Sequence, residues 1–86
     1  MKSKLTIDKY GSKYWYINGK LHRESGPTIE YNNGNKQWWL NGQLHREDGP
    51  AIDNGDGVKW WYLDNVEYTE INYKHEMRSR KLKKLI

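Results

Sequence analysis

A period of 23 residues runs through this chain and constrains its fold more than any other feature. Gly11, Gly34 and Gly57 stand 23 apart, as do Lys13, Lys36 and Lys59, and Trp15, Trp38 and Trp61. The next columns are Tyr16/Trp39/Tyr62, Ile17/Leu40/Leu63 and Asn18/Asn41/Asp64. The first two copies go on to share Gly19/Gly42, Leu21/Leu44, His22/His45, Arg23/Arg46, Glu24/Glu47, Gly26/Gly49, Pro27/Pro50 and Ile29/Ile52. The third copy starts in phase and departs after Leu63: its turn reads Asp64-Asn65, and Tyr68 stands in the His column. A fixed period means one supersecondary unit used repeatedly, and an atypical terminal copy is what a cap looks like.

Each unit reads as a β-hairpin. Tyr14-Trp15-Tyr16-Ile17 is rich in strand formers, and Asn18-Gly19 accepts the two positive φ angles of a type I′ turn. Lys20-Leu21-His22-Arg23 returns, and Ser25-Gly26-Pro27 breaks the ladder because proline has no N–H to donate. Thr28-Ile29-Glu30-Tyr31 is extended again, and Asn32-Asn33-Gly34 turns into the second copy. A two-residue turn sets Ile17 opposite Lys20, Tyr16 opposite Leu21, Trp15 opposite His22 and Tyr14 opposite Arg23. One face then carries Trp15, Ile17 and His22, and the other Tyr16 and Leu21, with their counterparts from copy two alongside. Both faces hold apolar area, and a single sheet must cover at least one. The expected fold is therefore mainly β, an antiparallel meander of hairpins over 11–33, 34–56 and 57–68, capped by a basic C-terminal helix over about 69–86. All of it forms one domain spanning 1–86. The aromatic face with Tyr16, Trp39, Trp60 and Tyr62 is the expected partner or subunit interface, and a homo-oligomer is expected because large apolar patches are interaction sites.

Composition narrows the function. The 86 residues include no cysteine, which excludes disulfides, zinc–thiolate sites and cysteine nucleophiles. Five Trp and seven Tyr but no Phe suit thin sheets and wet interfaces, since both side chains join an apolar body to a polar tip. The longest apolar runs, such as Trp60-Trp61-Tyr62-Leu63, fall far short of the ~20 residues of a membrane span, and the first residues lack a signal-peptide core. A cytoplasmic protein with no membrane partner is expected.

Charge is concentrated at one end. Residues 1–68 carry nine Lys or Arg and nine Asp or Glu, whereas residues 69–86 carry six basic and two acidic residues. The excess resides in Lys74, Arg78, Arg80, Lys81, Lys83 and Lys84. This stretch has neither Gly nor Pro, and Thr69 is a suitable N-cap with Glu70 in the first turn. Ile71, His75, Arg78, Leu82 and Leu85 follow helical spacing and form the stripe expected to lie on the sheet. Six basic groups on one helix beside a neutral body point to phosphate-backbone contacts with RNA or DNA, without sequence readout.

The unit Trp-x-x-Asn-Gly-x-Leu-His-Arg-Glu-x-Gly-Pro resembles a repeat of small bacteriophage and giant-virus proteins, and is similar in period and hairpin form to MORN repeats. It departs from the MORN pattern in its His-Arg-Glu-x-Gly-Pro block. The resemblance covers residues 11 to about 68 and implies a binding surface rather than a reaction. It also implies a phage-type accessory or inhibitor protein that engages a host defence nuclease, such as a toxin–antitoxin ribonuclease, together with its RNA.

Catalysis has one candidate. His22-Arg23-Glu24 and His45-Arg46-Glu47 contain an acid–base pair and a cation for a phosphorane, as an RNase requires. Duplication at the repeat period argues instead for framework, with His packed on Trp and donating to a carbonyl, and with Arg and Glu paired between repeats. The three histidines have no compact metal-ligand spacing. Asp53-Asn54-Gly55-Asp56-Gly57 begins like a calcium loop but meets Asp64 where the closing Glu belongs, so it reads as a turn. No cofactor and no metal are expected. The remaining class is a protein-interaction scaffold working through the aromatic face.

Overall fold

The computed structural model describes residues 2–84. Its elements are β1 (Lys4–Ile7), β2 (Lys13–Ile17), β3 (Lys20–Leu21), β4 (Ile29–Glu30), β5 (Lys36–Gln37), β6 (Trp39–Leu40), β7 (Gln43–Leu44), β8 (Ile52–Asp53), β9 (Lys59–Leu63), β10 (Val66–Tyr68) and α1 (Glu70–Lys84). The strands run β1-β2-β4-β5-β8-β9-β10 across one sheet, with β3 on β2 and with β6 and β7 paired to each other. Every pairing is antiparallel. The hairpin meander with one C-terminal helix is the architecture expected from the repeat.

The turns follow from the backbone. Asn18 and Gly19 have φ of 51° and 76°, Asn41 and Gly42 52° and 76°, and Asp64 and Asn65 51° and 69°. Two consecutive positive φ values match the right-handed twist of the flanking strands. Asn, Asp and Gly reach that region at the least cost.

The hairpins are shorter than the strand pattern suggests. Tyr16 pairs with Leu21 and Ile17 with Lys20, and the ladder ends with one further bond from the His22 amide to the Trp15 carbonyl at 3.0 Å. Tyr14 pairs with Ile29, not with Arg23, and the Arg23 amide donates to the Trp39 carbonyl of the next copy at 3.3 Å. Each long strand thus divides its length, the second half closing the hairpin and the first half pairing with the strand that follows the Gly-Pro break. Only one chain can occupy a given strand edge, so His22 and Arg23 are free to reach the neighbouring repeat.

Registers repeat with the sequence. Thr6 and Ile7 of β1 pair with Tyr14 and Lys13. Ile29 and Glu30 meet Gln37 and Lys36 in the same way, as do Ile52 and Asp53 with Trp60 and Lys59. One consequence is a row of alternating charge across the sheet: Lys13, Glu30, Lys36, Asp53 and Lys59 stand opposite one another in turn. The Lys59 ammonium donates to Asp53 at 2.9 Å.

The core is thin and half polar. Ile29, Ala51, Leu63 and Tyr73 are buried, together with Ser12, His22, Thr28 and His45. The molecule measures 46 × 33 × 17 Å, and a single sheet ~10 Å from the next layer leaves little room for an apolar interior. Burying polar groups is tolerable only when they are bonded. The Thr28 hydroxyl donates to the Trp39 carbonyl at 2.9 Å and accepts from the Trp39 amide at 2.7 Å. No helix among the described residues is long and apolar enough to cross a membrane.

Candidate nucleic-acid interface

The conserved-looking block of each copy proves to be a set of braces. The Arg23 guanidinium lies over the Trp15 ring at 3.7 Å, and Arg46 over Trp38 at 3.6 Å. Their Nη1 groups donate to the Pro27 and Pro50 carbonyls, each at 3.0 Å. A Cβ on Gly49 would stand 2.9 Å from the Arg46 Cζ, so this glycine leaves room for the stacked guanidinium. Trp, Arg, Gly and Pro therefore belong to one brace per repeat, not to charge pairs between repeats.

The histidines link the repeats. His22 Nδ1 accepts the Asn41 amide at 2.9 Å, and His45 Nδ1 accepts the Asp64 amide at 2.9 Å. An accepting Nδ1 carries no proton, so Nε2 holds it. His45 Nε2 donates to Glu47 at 2.9 Å, and His22 Nε2 lies 3.5 Å from Glu24. The expected donation to a carbonyl is thus reversed: each ring holds the turn of the next copy by accepting from it. His45 is hydrogen-bonded on both nitrogens and His22 on Nδ1 alone, and each ring lines an open cleft together with the Arg and Glu of its own block. The hydrogen bond from His45 holds the Glu47 carboxyl below its usual pKa against the opposing effect of burial, and the nearby charges of Lys84 and Arg80 add to that lowering.

The third copy is finished by α1. Thr69 caps it, its Oγ1 accepting the Asn72 amide at 3.2 Å. Tyr73 occupies the column of Pro27 and Pro50, and its ring packs on Trp61 with centroids 6.4 Å apart. Its hydroxyl donates to the Arg46 carbonyl at 2.6 Å and accepts the Gly49 amide at 3.3 Å. Burial raises the Tyr73 pKa, since it penalises the phenolate. Further along, Arg80 Nε donates to Glu76 at 2.9 Å and Nη2 to Asp64 at 3.3 Å. Hydrogen bonding to Glu76 raises the pKa of Arg80, and Asp64 adds to it. Asp64 replaces the turn asparagines Asn18 and Asn41 at the one turn that meets the helix.

The docked face of α1 is therefore Tyr73, Glu76, Met77 and Arg80, not the expected stripe. Ile71 and Leu82 point to solvent, His75 and Arg78 are exposed with them, and Leu85 lies outside the described residues. A sparse apolar pattern misleads because the strongest anchors here, a buried phenol and an ion-paired guanidinium, do not count as apolar. The signal within the sequence is the i, i+3, i+4, i+7 spacing of Tyr73, Glu76, Met77 and Arg80.

The six basic residues divide accordingly. Arg80 is committed to the fold, and Lys74 pairs with Glu70 at 3.2 Å. Arg78, Lys81, Lys83 and Lys84 are exposed and make no ion pair among the described residues. Lys74, Arg78 and Lys81 follow one flank of the helix, beside a cleft of about 340 Å³ lined by Tyr73, Met77, Leu82 and Glu47. On the opposite face of the sheet, Trp60 is 44% exposed, while Tyr16, Trp39 and Tyr62 are half-buried. The Trp39 indole donates to Gln37 at 2.9 Å. Residues 53–58 close as a turn, with the Asn54 amide donating to the Val58 carbonyl at 3.0 Å. The described residues contain no cluster of metal-ligating side chains. No protein-family model matches the chain, and no curated protein or solved structure is significantly similar to it.

Proposed function

We propose that this is a non-enzymatic binding protein that holds the phosphate backbone of RNA or DNA along the basic flank of α1. The carrying observation is the division of labour on that helix. Tyr73 and Arg80 fasten it to the sheet, while Arg78, Lys81, Lys83 and Lys84 remain solvated and free to meet phosphates. Contacts of this kind are electrostatic and sequence-independent. The framework bonds that both histidines accept on Nδ1 from the next turn support a binding role over hydrolysis. Together with the resemblance to small phage repeat proteins, the reading extends to an inhibitor that meets a host defence ribonuclease through its RNA.

The test is fluorescence anisotropy of a labelled single-stranded RNA at several salt concentrations. Four phosphate contacts predict a log–log salt slope of about −3, at roughly −0.7 per contact on a single strand. Substituting Arg78, Lys81, Lys83 and Lys84 by Gln, with Arg80 retained so that the helix stays docked, abolishes binding. Undiminished binding by that variant, or no wild-type binding at low salt, refutes the proposal. A scaffold role is favoured by one observation, the exposed Trp60 on the face away from α1. It predicts capture of a protein partner that survives the four-Gln substitution and is lost in Trp60→Ala.

A further inference from the structure

The repeat leaves one position in the sheet unfilled. In copy one, Lys13 and Tyr14 pair with Glu30 and Ile29 of the returning strand β4. In copy two, Lys36 and Gln37 pair with Asp53 and Ile52 of β8. The same columns in copy three are Lys59 and Trp60, and their partners would be Glu76 and His75. Those residues belong to α1 instead. β10 pairs with Trp61, Tyr62 and Leu63 only. Lys59 and Trp60 therefore have β8 on one side and no strand among the described residues on the other.

At the far end of the molecule lies a strand with the matching form. β1 pairs with β2 in the register by which β4 pairs with β5 and β8 with β9. Thr6 and Ile7 thus occupy the columns of Ile29 and Glu30, and of Ile52 and Asp53. β4 and β8 have a second neighbour on their other edge, but β1 has none among the described residues.

The backbone polarity of both edges points outward. The Asp8 amide donates to the Ser12 carbonyl at 3.0 Å, and the Asn54 amide to the Val58 carbonyl at 3.0 Å. Hydrogen-bonded and non-bonded pairs alternate along an antiparallel ladder. The next pairs, Ile7 with Lys13 and Asp53 with Lys59, are then non-bonded, so Ile7 and Lys59 turn their N–H and C=O groups toward the empty sides. Exposed apolar side chains stand at both of these ends: Leu5 at 47% and Ile7 at 56%, and Val58 at 42% and Trp60 at 44%.

We infer that the occupant of the open β9 edge is β1 of a second copy of this chain. The repeat sets the register, with Lys59 opposite Ile7 and Trp60 opposite Thr6 of the second copy. The sheet then continues across the junction over these two residues, as it does where β4 meets β2 and β8 meets β5, since Trp61 and Tyr62 are already paired with Tyr68 and Glu67 of β10. The contact joins two different surfaces, so it is heterologous and propagates head to tail into longer assemblies or a ring. It uses sheet edges and leaves the basic flank of α1 exposed on every copy, so it stands independently of nucleic-acid binding.

The test uses two full-length variants and sedimentation velocity or light scattering across protein concentration. Ile7→Pro removes the outward N–H of β1 and blocks the head. Lys59→Pro removes the outward N–H of β9 and blocks the tail. Proline is tolerated on an edge where the lost donor faces solvent. Wild type is expected to grow in mass with concentration, each variant alone to stay monomeric, and an equimolar mixture to form a dimer of twice the monomer mass and nothing larger. Circular dichroism verifies folding, and where either proline unfolds the chain, Leu5→Lys and Trp60→Lys replace the pair. A wild type monomeric at every concentration overturns the inference. So does an oligomer insensitive to both variants, which would place the contact on the sheet face. A mixture that fails to dimerise, or a mass lost with Ile7→Pro alone, would also overturn it, the latter indicating a symmetric β1–β1 contact.

Discussion

Replacing Tyr73 by Phe isolates what holds the helix to the repeats. The ring stays on Trp61, so the apolar contact is unchanged, and only the hydroxyl is lost. That hydroxyl donates to the Arg46 carbonyl at 2.6 Å and accepts the Gly49 amide at 3.3 Å. Both partners lie in the second Gly-Pro loop, and the loss leaves an acceptor and a donor without their partner beneath the helix. An unsatisfied buried group costs about 1–3 kcal/mol, and the 2.6 Å bond is the stronger of the two, so the expected loss is about 2 kcal/mol. A domain of this size is stable by roughly 5–10 kcal/mol and loses about 4–8 °C of Tm per kcal/mol. Tyr73→Phe should therefore melt roughly 8–16 °C lower by tryptophan fluorescence, with amide exchange in α1 accelerated more than in β2. The raised pKa of Tyr73 adds a second signature. A phenol whose folded pKa exceeds its unfolded value near ~10 contributes fully below that pH, and the contribution disappears as pH rises through the folded value. The stability gap between wild type and Tyr73→Phe should thus narrow above about pH 10. A Tm within 2 °C of wild type, or a gap independent of alkaline pH, would refute the view that the hydroxyl fastens the helix.

Two further outcomes follow from the braces. His45→Asn places an oxygen near the position of Nδ1, which accepts the Asp64 amide at 2.9 Å. It should cost about 1 kcal/mol in urea denaturation, whereas His45→Ala and His45→Gln, which leave that amide unpartnered, should each cost about 2 or more. Gly49→Ala drives a methyl to within 2.9 Å of the Arg46 guanidinium, against 3.3 Å for Gly26→Ala on Arg23. Thermal melts should show Gly49→Ala losing about 1 kcal/mol, comparable to a stacked cation, and Gly26→Ala losing less.

Much of the candidate site was legible only as a list of residue types. The basic cluster from Lys74 to Lys84 is visible in composition, but its division is not. Arg80 is withdrawn from the exposed basic flank because Asp64, 16 residues earlier, comes within 3.3 Å of it. The helix face was misread for a related reason. Hydropathy scores Ile71 and Leu82 as buried, yet the docking is decided by one phenol meeting a loop carbonyl 27 residues away. The His-Arg-Glu block, duplicated at the repeat period, pointed to framework contacts. Its wiring was not legible, because the choice between donor and acceptor nitrogen depends on which backbone group faces the ring.

By itself the sequence determined what is local and what repeats. The 23-residue period, the Asn-Gly turns and the capped helix at Thr69 all follow from backbone preferences within a few residues of one another. Tertiary structure alone decided which chain takes each strand edge. A strand edge accepts one partner per residue, and that competition settles only when every repeat is in place. So Tyr14 goes to Ile29, Arg23 to the neighbouring copy, and Lys59 with Trp60 to no strand of the described chain. The strand that fills the corresponding place in the first two copies is helix in the third, where Thr69 caps a stretch without Gly or Pro and Tyr73, in the proline column, packs on Trp61.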